Sequence, residues 1–112
     1  SKNYPLTMAY TNVLLKAERS KEATEALVQI IPDRPNDTEV WYLLAEAYGL
    51  ANDIIGVHEA RAEYFVLVGN LEQAIKQLGF AMPLVRDDFQ LTSKFQLRIE
   101  QIHLMRLKAR RS

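Results

Sequence analysis

Residues 41–81 read WYLLAEAYGLANDIIGVHEARAEYFVLVGNLEQAIKQLGFA. Trp41, Leu44, Ala45 and Tyr48 follow one another by steps of three, one and three. Ala62, Phe65, Gly69, Ala74, Leu78 and Ala81 continue by steps of three, four, five, four and three. Steps of three and four hold side chains on one face of a helix. Ala45, Ala62, Ala74 and Ala81 are small where two helices must approach closely, and Trp41, Tyr48, Phe65 and Leu78 fill the gaps between them. Gly69-Asn70 separates two helices, because glycine enters the left-handed region at a helix end without steric cost.

Both spacings belong to the tetratricopeptide (TPR) repeat, a helix-turn-helix unit of about 34 residues. Ala23, Leu27, Ile30 and Pro35 repeat the spacing of its second half. That unit begins near Tyr4, the Trp41 unit near Thr38, and the Gly69 unit near Ile55, only half a repeat further on. The helix from about Asp53 to Val68 is therefore expected to serve two units, as a solenoid helix packs on its predecessor and its successor.

The flanking elements follow from the same patterning. Residues 5–17 predict a first helix with Pro5 in its first turn, where proline is tolerated. Ser20 is the expected N-cap of a second helix carrying Ala23, Leu27 and Ile30 inward. PDRPNDT at 32–38 predicts a loop, with Asp37 or Thr38 capping the third helix. Pro83 is expected to bend or end the fifth helix. Asp87-Asp88 should cap a last helix from Phe89 to about Lys108, whose stripe Leu91, Phe95, Ile99 and Ile102 docks on one side. Leu97 and Leu104 lie off that stripe. The expected fold is all-α, a TPR-like right-handed helical solenoid of about six antiparallel helices. It is read as one domain over 1–112, with units at about 4–37, 38–68 and 54–87 and a capping helix at 88–109.

Composition narrows the function. The 112 residues suit one domain, and 48% hydrophobic content is too high for disorder. The formal net charge of zero gives no overall attraction to nucleic acid or anionic membrane. No apolar run reaches the ~20 residues of a membrane span. The absence of cysteine excludes disulfides and thiol catalysis. The chain opens on SKNYPL and closes on ARRS without an initiator Met, so it is expected to be part of a larger protein.

LLAEAYG at 43–49, ARAEYFVLVGNLEQAIKQL at 60–78 and DDFQLTSKFQLRIEQI at 87–102 occur in order. Together they resemble the C-terminal region of the periplasmic zinc metallopeptidases that carry a TPR domain. The resemblance implies a Gram-negative periplasmic location and a preceding protease domain that holds the zinc. It also implies protein partners, namely that protease domain and outer-membrane assembly proteins. The family's HExxH helix is absent: His58-Glu59-Ala60-Arg61-Ala62 has alanine where the second histidine would stand, and the only other histidine is His103. No catalytic residue, metal ligand or cofactor is therefore expected within this chain.

The candidate site is the groove lined by first helices. By helical phase it should include Met8, Asn12, Leu15, Lys16, Tyr42, Glu46, Glu59 and Glu63. Such a partly aromatic, acidic groove suits basic or apolar extended protein segments. A secondary surface is the basic cluster Arg98, Arg106, Lys108 and Arg110 on the last helix. Few base-reading side chains stand among these cations, so docking on an acidic protein surface is expected rather than nucleic acid. A free-standing TPR adaptor and a nucleic-acid binder using the last helix are the alternative readings.

Overall fold

The computed structural model describes residues 4–111. They form α1 (Tyr4–Lys16), α2 (Ser20–Ile30), α3 (Thr38–Leu50), α4 (Ile54–Leu67), α5 (Leu71–Ala81) and α6 (Phe89–Arg111), with a short 3-10 turn at Met82–Val85 between the last two. Each α-helix packs on the next in chain order, as in a TPR-like helical solenoid.

Local chemistry sets the helix ends. Asp37, Asp53, Asn70 and Asp88 each accept a hydrogen bond from a backbone N–H in the first turn that follows, at Glu39, Gly56, Gln73 and Leu91. Those N–H groups have no partner within the helix, so a side-chain oxygen there stabilises by about 1 kcal/mol. Ser20 does not cap α2. It is the first helical residue, and the N-cap is Arg19, whose side chain makes no capping bond. The reason lies one residue earlier, where Glu18 takes a left-handed φ of 60° and the Arg19 N–H donates to the Leu14 carbonyl at 2.8 Å. The chain has already turned before Ser20 is reached.

The same closure recurs twice. Asn52 (φ 60°) is followed by Asp53 N–H donating to Tyr48 O, and Gly69 (φ 81°) by Asn70 N–H donating to Phe65 O. Glu18 and Asn52 stand one repeat length of about 34 residues apart, and Asn52 and Gly69 half that. These are the turns between α1 and α2, α3 and α4, and α4 and α5.

The interior divides at α4. Met8, Leu14, Ala23, Leu27, Ile30, Val40, Leu44 and Ala47 form one cluster with Ala60. Ala74, Leu78, Ala81, Val85, Phe95 and Ile102 form a second with Ala62. Positions 60 and 62 point to nearly opposite sides of a helix, about 200° apart. Thus α4 buries two alanines in two directions and lets α3 and α5 close on it from either side. Trp41 is half-buried against the first cluster, and its indole N–H donates to the Pro35 carbonyl at 2.8 Å. That bond pins the α2–α3 loop, as does the Arg34 guanidinium lying 3.6 Å over the Tyr4 ring. Gly56 is buried where α4 starts. A Cβ there would lie 2.6 Å from the Tyr48 ring, so the close crossing of α3 and α4 requires glycine.

Candidate functional site

The residues expected to share one groove fall into separate places. Met8 is buried in the first cluster and offers no surface. Leu15 is half-buried against the same cluster, whereas Asn12 and Lys16 are exposed on α1. Tyr42 and Glu46 do meet, in a hollow of about 530 Å³ between α3 and α4 whose lining also includes Ala45, Gly49, Val57, Arg61, Tyr64 and Phe65. Tyr42 is 58% exposed, and its ring centroid stands 5.7 Å from that of Tyr64 in a tilted arrangement. Sequence reasoning missed Arg61 and Tyr64. The signal was present in the three-residue step between them, which puts both on the α4 face away from Glu59 and Glu63.

Glu59 and Glu63 line a second, smaller hollow of about 190 Å³ with Leu78, Lys94, Phe95, Leu97, Arg98 and Gln101. Here the chain supplies its own cations. Lys94 Nζ lies 2.7 Å from Glu59. The Arg98 guanidinium donates to both Glu63 oxygens, through Nε at 2.9 Å and Nη2 at 2.7 Å, and Nη1 donates to Gln101 at 3.0 Å. The bond to Glu63 comes first among the causes that raise the Arg98 pKa above its ordinary value, ahead of burial, which opposes it. Further along, Arg106 donates to Glu72 of α5 at 3.2 Å. Of the basic face expected on α6, Arg98 and Arg106 are therefore turned onto α4 and α5, and Lys108 and Arg110 are exposed toward the helix end, as is Arg111. Lys94 pairs with Glu59 while staying exposed.

The one sequence that approached a metallopeptidase motif does not fit zinc. His58 Nδ1 pairs with Gln77 Oε1 at 2.8 Å, and its ring packs 5.6 Å from that of Phe80, so the histidine joins α4 to α5. Glu59 is occupied by Lys94. Among the described residues no group of three or more His, Cys, Asp or Glu is arranged to hold a metal ion. Among them too, no helix is long and apolar enough to cross a membrane.

The order of helices, the doubly packed α4 and the α6 docked by Phe95 and Ile102 can be set beside known proteins. No family model matches the chain. The beta-barrel assembly-enhancing proteases of Escherichia coli K12 and Shigella flexneri are each 30% identical over 100 residues, which is 89% of this chain and 20% of the relative. A Vibrio cholerae protein provisionally given the same name is 33% identical over 101 residues, 90% of this chain and 21% of the relative. The chain is a homologue of one segment of the beta-barrel assembly-enhancing proteases. It spans about a fifth of the length of the relatives it matches. Within that fifth the present chain has no HExxH sequence.

Proposed function

We propose that this chain is the C-terminal, partner-recruiting TPR domain of a periplasmic zinc metalloprotease that acts in outer-membrane protein assembly and quality control. The observation that carries the reading is the open hollow between α3 and α4. It presents three aromatic rings, Tyr42, Tyr64 and Phe65, and two opposite charges, Glu46 and Arg61, neither of which has an ion partner among the described residues. Catalysis and zinc belong to a protease domain outside this chain. The partners are that domain and outer-membrane assembly proteins, in keeping with the names of the relatives. A nucleic-acid reading is disfavoured because Lys94, Arg98 and Arg106 are engaged by Glu59, Glu63 and Glu72. A phosphate backbone would have to compete for those cations.

The test is a titration of the chain and its Tyr42→Ala/Glu46→Lys variant against the parent protease domain and against a purified outer-membrane β-barrel assembly complex. An aromatic anchor of this kind often carries more than 2 kcal/mol, so the double variant should bind at least about tenfold more weakly. Equal capture by a variant with unchanged circular dichroism would remove the hollow from the function.

A further inference from the structure

We propose that the hollow between α3 and α4 grips an extended, uncharged stretch of polypeptide. Tyr42 and Tyr64 take one apolar side chain, and Glu46 and Arg61 hold main-chain N–H and C=O groups beside it. This rests on the reading of the chain as a protein-interaction module and names the class of segment it takes.

The argument begins with register. Tyr42 on α3 meets Tyr64 on α4, and a Cβ on Gly49 would lie 3.8 Å from a Val57 methyl. The helices therefore run antiparallel, with an aromatic end and a Gly49–Val57 end to the hollow. Glu46 follows Tyr42 by one turn and Arg61 precedes Tyr64 by about one turn, so the two charges stand at similar height on opposite walls. They nevertheless form no ion pair with each other or with any described residue. The space between them is bounded by a group that only accepts hydrogen bonds and a group that only donates them. An extended main chain offers both a donor and an acceptor at each residue. A charged side chain placed there would satisfy one wall and be repelled by the other.

Charge complementarity points the same way. Glu46 and Arg61 sum to zero, which matches a neutral segment. The neighbouring hollow shows the opposite case, where Glu59 and Glu63 carry the same charge and are met by the cations Lys94 and Arg98. The small residues Ala45 and Gly49 in the lining leave room for backbone to come close. A volume of about 530 Å³ admits a few residues of chain and not a folded surface.

The experiment is fluorescence anisotropy with the whole chain and labelled, end-capped peptides. The probe has one phenylalanine among serine, threonine and valine. Control peptides replace the phenylalanine by lysine or glutamate, or carry N-methyl groups on the amides flanking it. The neutral probe should bind, and its affinity should change by less than about twofold between 0.05 and 0.5 M salt, because no net charge is screened. Tyr42→Ala, Tyr64→Ala and backbone N-methylation should each weaken binding by about tenfold. Tighter binding of the lysine or glutamate peptide would overturn the proposal, and so would indifference to N-methylation in a chain with a wild-type urea midpoint. If the assembly complex is captured through Tyr42 while the neutral probe does not bind, the ligand class is wrong and the module reading stands. If neither binds, both fail.

Discussion

Replacing Gly56 by alanine tests whether close approach at the α3–α4 crossing organises the chain. The added Cβ would lie 2.6 Å from Cγ and Cδ1 of Tyr48 and 2.8 Å from Cε1. These are the near atoms of a half-buried ring, not the end of a flexible side chain, so either the ring or α4 must move. Overpacking of this kind costs about 1–3 kcal/mol. Alanine in a helix returns about 0.5–1 kcal/mol relative to glycine, which leaves a net loss of about 1 kcal/mol at the middle of those ranges. Gly79 is the internal control: it lies in α5 with nothing within 4 Å of an added Cβ, so Gly79→Ala keeps only the favourable part. Urea denaturation reads both. With a slope of about 1–2 kcal/mol per molar, Gly56→Ala should lower the midpoint by about 1 M and Gly79→Ala should raise it by about half that. In a Tyr48→Leu background Gly56→Ala should lose most of its cost, since the two positions are coupled through contact. A Gly56→Ala midpoint at or above wild type would refute the argument.

Trp41→Phe should cost about 1 kcal/mol by leaving the Pro35 carbonyl without its donor, and Trp41→Ala about 3 kcal/mol, whereas Tyr42→Ala should fall within about 0.5 kcal/mol of wild type in the same urea melts. Arg98→Ala should cost about 1–3 kcal/mol because Glu63 keeps a side chain only 21% exposed with its partner removed. Lys94→Ala, whose side chain is 62% exposed, should cost under about 1 kcal/mol, and a double-mutant cycle with Glu63→Gln and Glu59→Gln separates the two. Burial first, then Glu59 and Asp53, raise the Tyr48 pKa above its ordinary value. The folded state thus holds the phenol proton more tightly than the unfolded chain. That preference is intact below the unfolded pKa of about 10 and costs stability as pH rises beyond it. Tyr48→Phe should therefore flatten the loss of stability in alkaline urea melts, and an unchanged alkaline slope would count against it.

How much of this was legible beforehand differs by element. The steps from Trp41 to Tyr48 and from Ala62 to Ala81 are short-range, and a three- or four-residue step has one geometric meaning on a helix. The fold class and the residues buried at Ala23, Leu27, Ala74, Leu78, Phe95 and Ile102 followed from that periodicity. The N-caps at Asp37, Asp53, Asn70 and Asp88 act within a few residues of themselves. Ser20 was misread because the turn before it depends on Glu18 in a left-handed conformation, for which glutamate carries no sequence signal. Glycine at 69 did carry one.

The site was less legible, since it depends on which side of each helix faces which neighbour. Sequence alone set the helical periodicity, the turn at Gly69, the balance of charge and the absence of an HExxH motif. Only the tertiary structure decided that Met8 turns inward, that Arg61 and Tyr64 join Tyr42 and Glu46, and that Lys94, Arg98 and Arg106 are engaged by Glu59, Glu63 and Glu72. The ion pairs between α4 and α6 join positions 35 residues apart in sequence. Such pairs form when a helix rotates about its axis to bury Phe95 and Ile102, and that rotation is fixed by packing against α5, not by any local pattern of residues.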